Sequence, residues 1–176
     1  MSRTRHSIWY GRWIGIILSV VICHLVFSLS ACSSIDCPVQ TTVKTSYAIM
    51  DADGVSTKLT DTLYVWTQQA NGKDTLILNR AINVSSFSLP ISYHHPEDIL
   101  VFYMNNEQQQ SSRDTVWLKK EDIPHFESVD CAAHFFHKLT NVRSTHVRID
   151  TVMISNPDVN YDTEKTHLHI RFKTAL

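Results

Sequence analysis

Residues 41–176 predict an all-β fold: an antiparallel, immunoglobulin-like β-sandwich of about nine strands. Three observations carry that prediction. Apolar and polar residues alternate over short runs, as in Leu168-His169-Ile170-Arg171-Phe172. Turn-forming clusters such as Asp51-Ala52-Asp53-Gly54 and Asn71-Gly72 punctuate those runs. Asp-Thr followed by an aliphatic residue opens four of them, at Asp61, Asp74, Asp114 and Asp150. Asp satisfies turn amides, Thr favours extended backbone, and the aliphatic residue enters the core.

The elements follow in order. Thr41 to Met50 reads as a first strand and 51–54 as a turn. That turn lacks the glycine at position six and the glutamate at position twelve of a calcium loop. Asp61 to Thr67 and Asp74 to Arg80 form a hairpin around Asn71-Gly72. Ser86 to Ser92 is extended, and Pro90 assigns it to an edge or a bend. Ile99 to Met104 is apolar on both faces, as a central strand requires. Asp114 to Lys119, Val147 to Ser155 and His167 to Lys173 complete the strands. Cys131 to Leu139 fits a helical face and a strand equally well.

The chain has 176 residues, and its first 31 have a different character. Arg3, Arg5 and Arg12 precede an apolar run from Trp13 to Leu29. This is the pattern of a removable export signal. The segment holds three of the 16 basic residues and none of the 17 acidic ones, so the remainder is net acidic. A nucleic-acid-binding domain needs a basic surplus, and none is present. Beyond residue 31 only Gly54 and Gly72 remain of the four glycines. Phosphate loops, dinucleotide turns and nucleophile elbows need more.

Leu29-Ser30-Ala31-Cys32 resembles the lipobox of bacterial lipoproteins. The resemblance implies cleavage before Cys32 and acylation of its thiol and new amine, palmitate being a typical chain. Each buried CH₂ adds about 0.8 kcal/mol, so two or three chains anchor firmly. The domains expected are a removed signal peptide at 1–31, a lipidated tether at 32–40 and one sandwich at 41–176. In enterobacterial lipoproteins a residue such as Ser33 after the cysteine favours transfer to the outer membrane, so the resemblance implies that location, and the periplasmic face is expected. A single acid, Asp36, gives little support for surface display. Cys23 leaves with the signal, and Cys37 and Cys131 form an expected disulfide in an oxidising compartment. Closing a loop of that size is worth up to about 4.7 kcal/mol.

Candidate ligand contacts are His94 and His95 ahead of Pro96-Glu97-Asp98, the pair His167 and His169, and the tryptophans Trp66 and Trp117. The two tryptophans suit a sugar-stacking platform, although burial in the sandwich core is the simpler expectation. Cys131, His134 and His137 share a face only on a helix, so no metal site is assigned. No serine is marked as an activated nucleophile. No catalytic residue, metal or cofactor is expected. The Asp-Thr-aliphatic triplets place Thr62, Thr75, Thr115 and Thr151 as candidate O-glycosylation sites, because the triplet resembles the acceptor sequence of Bacteroidetes envelope proteins.

Several motifs recur together: Cys32 followed by Cys37-Pro38, Phe126-Glu127-Ser128-Val129-Asp130-Cys131, Asn156-Pro157-Asp158-Val159-Asn160, and the closing His167 to Phe172. Residues 32–176 in this respect resemble a family of small Bacteroidetes lipoproteins of unknown function. The resemblance implies an envelope lipoprotein and carries no catalytic residue with it. It also makes an outer-membrane β-barrel protein a plausible partner. The functional expectation is a lipid-anchored, non-enzymatic accessory or interaction module at the outer membrane. A glycan- or peptide-binding module is the first alternative and a metal-handling lipoprotein the second.

Overall fold

The computed structural model describes residue 15 and residues 18–24, 43–68, 72–106, 108, 110–128, 130, 131 and 133–173. The chain divides into two units, Met1–Asp36 and Cys37–Leu176. In the first, residues 18–24 are helical. Among the described residues no helix is long and apolar enough to cross a membrane. Cys32, Cys37 and the tether at 32–40 lie outside the described residues.

The second unit is all β. Its strands are β1 (Lys44–Ile49), β2 (Thr62–Gln68), β3 (Asp74–Ala81), β4 (Ser86–Pro90), β5 (Glu97–Asn105), β6 (Ser111–His125), β7 (His134–Ser144), β8 (Ile149–Ile154), β9 (Asp158–Val159) and β10 (Leu168–Phe172). They build a four-stranded sheet, β4-β1-β10-β8, and a six-stranded sheet, β3-β2-β5-β6-β7-β9. One apolar core draws on both. Tyr47 of β1 stacks on Phe87 of β4 at 4.8 Å and meets the edge of Phe102 of β5 at 6.3 Å. Leu63, Val65, Met104, Val116, Leu168 and Ile170 are fully buried around them.

Most strand assignments hold, and each for its expected reason. Asp51 Oδ1 accepts from the amides of Asp53 (3.0 Å) and Val55 (2.8 Å), and Gly54 takes a φ of 76°. That left-handed conformation is the one glycine adopts without cost. Gly72 does the same at 75° between β2 and β3. Pro90 ends an edge strand. β5 lies between β2 and β6, which explains its two apolar faces.

Three points depart from the sequence reading. First, β1 pairs with β10 in parallel, with Tyr47 opposite Leu168 and Ile49 opposite Ile170. No hairpin joins these strands, so nothing forces them antiparallel. Second, residues from His134 onward form a strand that runs to Ser144, settling the helix-or-strand ambiguity. Third, β6 extends to His125. It continues along β7 after β5 has ended, past a register shift that leaves Thr140 of β7 as the extra residue, so Pro124 sits where only one neighbour needs pairing.

Candidate functional site

The outer face of the six-stranded sheet is the most chemically distinctive surface. In β2, Leu63 and Val65 enter the core, so Tyr64 and Trp66 point outward. Antiparallel register then fixes their neighbours. One row crosses the face as Tyr64, Tyr103 and Arg113. The next runs Leu76, Trp66, Val101 and Thr115. A third holds Ile99, Trp117 and Arg143. Directly opposed residues on neighbouring strands stand close enough for their side chains to touch.

A groove of about 400 Å³ opens over the first two rows. Tyr64, Trp66 and Tyr103 supply rings, while Asp74, Arg113 and Asn105 supply polar groups. Asn105 Oδ1 is buried and has no hydrogen-bond partner among the described residues. Tyr103 is 40% exposed. Flat rings bordered by a carboxylate, a guanidinium and an amide can stack on C–H faces and hydrogen-bond hydroxyl groups.

Trp66 and Trp117 are therefore surface residues of the sheet, and the simpler expectation of core burial is corrected. They also differ. The Arg143 guanidinium lies 4.1 Å from the Trp117 ring centroid and bonds Glu97 at 3.3 Å. Trp117 thus spends a ring face on an internal cation. Trp66 lines the groove.

The histidine candidates are dispersed, and His167 has a structural role. His167 is buried at 1% exposure, and its Nδ1 accepts from the Ser46 amide at 3.0 Å. Burial pushes its pKa down. His169 is half-buried within β10, so the two do not share a solvent face. His94 is exposed and packs on Tyr93 at 4.1 Å, which in turn stacks on Phe135 at 5.2 Å. The His95 carbonyl accepts from Lys120 Nζ at 2.6 Å. His134 and His137 are both buried, on a strand, and no group of three metal-ligating side chains forms among the described residues.

Sequence reading missed a buried ionic cluster. Lys120 Nζ donates to Asp122 Oδ1 at 2.8 Å, and His137 Nδ1 meets the same oxygen at 2.6 Å. Burial lowers the His137 pKa, and the Asp122 hydrogen bond only partly opposes this. Burial raises the Asp98 carboxyl despite the Ser92 amide and nearby Lys120. The cluster depends on the register shift at Thr140 of β7, for which the sequence shows no signal. Among the described residues no serine hydroxyl bonds a histidine ring; the Ser92 hydroxyl accepts from the His94 backbone amide at 3.1 Å.

The Asp-Thr-aliphatic triplets have distinct tasks. Asp114 accepts from Thr145 Oγ1 and from the amides of Val147, Arg148 and Ile149, at 2.6–2.8 Å. Burial alone would raise its pKa, and these four bonds instead hold it below the usual range. Asp61 pairs with Arg148, and Asp150 with Arg171. Thr62, Thr75, Thr115 and Thr151 are all half-buried. Thr62 and Thr115 face outward beside the aromatic rows. The Thr151 hydroxyl accepts from Arg171 at 3.1 Å.

Residues 62–172 match a family of unknown function (DUF6452). That span runs from the first residue of β2 to the last of β10 and includes the whole aromatic face. No curated protein matches the chain, and no solved structure does.

Proposed function

The chain belongs to the DUF6452 family, and we propose that it is a lipid-anchored, non-enzymatic binding module of the bacterial outer membrane that engages carbohydrate through its larger sheet. One observation carries this reading: the outward groove of Tyr64, Trp66 and Tyr103, bordered by Asp74, Arg113 and the unpartnered Asn105 Oδ1. A sheet held on both sides of β5 keeps those rings fixed before a ligand arrives, which lowers the ordering cost of binding. The anchor is the acylated Cys32, after removal of residues 1–31. A Cys37–Cys131 disulfide would tie the tether to the domain, and Cys131 is engaged rather than free. Thr62, Thr75, Thr115 and Thr151 are the proposed O-glycosylation acceptors, Thr62 and Thr115 lying beside the aromatic rows.

The test uses the lipidated protein in detergent, screened on a glycan array and titrated calorimetrically with the best hit. Trp66→Ala should weaken binding at least about tenfold, or ~1.4 kcal/mol, and leave thermal unfolding nearly unchanged. Absence of any glycan hit, or equal affinity in Trp66→Ala, overturns the carbohydrate assignment. A stoichiometric β-barrel in envelope pull-downs, with no glycan hit, would make the module an accessory subunit instead.

A further inference from the structure

The smaller sheet carries a second cleft, of about 740 Å³, between the loop after β1 and the adjoining ends of β8 and β10. Four cations line it: Lys58, Arg148, Arg171 and Lys173. The carboxylates that line it are Asp51 and Asp150. Both are occupied. Asp51 Oδ1 holds its own turn amides, and Asp150 Oδ2 holds Arg171. Asp150 reaches that position because a bulge separates the Arg171–Thr151 pair from the Phe172–Ile149 pair, leaving Asp150 as the extra residue.

The cations keep donors in reserve. Arg148 bonds Asp61 through Nε at 3.1 Å and Nη2 at 3.0 Å, while its buried Nη1 has no partner among the described residues. Lys173 Nζ donates to the carbonyls of His146 and Val147 and meets no carboxylate among its described bonds. Lys58 is exposed. With Asp61 counted, four cations face three carboxylates, and Lys58 and Lys173 meet no carboxylate among the described bonds, on a chain whose formal net charge is −1. A buried guanidinium N–H without an acceptor is costly, and an oxyanion would satisfy it.

We propose that this cleft is a phosphate-binding site, taking a phosphomonoester or free phosphate through Arg148, Lys58 and Lys173. A phosphate group carries roughly −1.5 to −2 at neutral pH, and its several acceptor oxygens can engage Lys58, Lys173 and the remaining Arg148 donor together, which a single carboxylate's two oxygens cannot. Arg148 gives its Nε and Nη2 fork to Asp61 and keeps Nη1 as the donor for the incoming oxygen. The site is on the opposite sheet from the aromatic groove and does not depend on the carbohydrate reading.

The experiment titrates the full-length lipidated protein in detergent with inorganic phosphate, by calorimetry and by thermal shift. In parallel, the protein is reconstituted into nanodiscs of phosphatidylcholine with or without phosphatidic acid, and the amide spectrum of isotope-labelled protein is compared. Perturbation of the Arg148 and Lys58 signals by phosphate, weakened about fivefold or more in Lys58→Gln and abolished in Arg148→Lys, is the expected result. Perturbation by phosphatidic acid at far lower phosphate content identifies a lipid headgroup as the source; a response to inorganic phosphate alone identifies a soluble one. No response to either ligand, or responses unchanged in both variants, overturns the site. If Arg148→Lys unfolds, the exposed Lys58→Gln variant decides alone.

Discussion

Asp114 shows how much of this structure depends on single acidic side chains. Its carboxylate gathers three consecutive amides, Val147 to Ile149, and one hydroxyl, and so fixes the approach to β8. Removing one partner from a buried network leaves the others unsatisfied, at about 1–3 kcal/mol. Asp114→Ala should therefore destabilise the domain by about 3 kcal/mol or more, measured as a lower urea midpoint with little change in slope. The lowered pKa adds a sign. Its stabilisation is full above the usual aspartate value near 4 and is lost as pH falls through the depressed folded value. The triplet Asp114-Thr115-Val116 announced a strand start that satisfies turn amides. The amides it satisfies lie more than thirty residues away, and no local pattern encodes that distance.

At the level of elements, the long β6–β7 ribbon concentrates the buried charge. Lys120, Asp122 and His137 meet because one bulge shifts the register of the two strands. His137 is held below its ordinary pKa, so folding disfavours its protonation. The stability it contributes is present above about pH 6.5 and falls away as pH drops through the lower folded value. Asp98 runs the other way: its raised pKa relieves strain as pH falls. Urea unfolding between pH 7.5 and 5 should show the parent protein losing more stability than His137→Gln over the same range. Equal pH dependence in both would remove His137 from the account. Strand identities were legible here because alternation survives in each run. Strand lengths were not, since β6 gains its last residues from pairing with β7 alone. Trp66 illustrates the same limit. Its apolar bulk suggested burial, but its position between Leu63-x-Val65 parity and Gln68 assigns it outward. The groove polar groups Asp74, Asn105 and Arg113 come from three strands, and only register brings them beside Trp66.

At the scale of the molecule, the smaller sheet joins the two ends of the domain. β10 lies between β1 and β8, while β4 pairs with β1 on the far side. Deleting residues from Leu168 onward therefore removes a central strand and exposes Tyr47, Ile49 and Ile149 together. Such a truncation should yield an insoluble or ANS-binding chain, and refolding of the intact protein should take milliseconds to seconds, as non-local β pairing requires. Rapid microsecond refolding would show that the β1–β10 pairing forms after the rate-limiting step.

That central position of β10 also sets a clock on biogenesis. A polypeptide synthesised from its amino end presents β1 early and β10 late. Until the late strand arrives, β1 has β4 beside it and an open edge on the other side. The smaller sheet therefore cannot be completed until that last strand is available. Closure of the core beneath Tyr47 and Ile49 thus waits for residues 168–172.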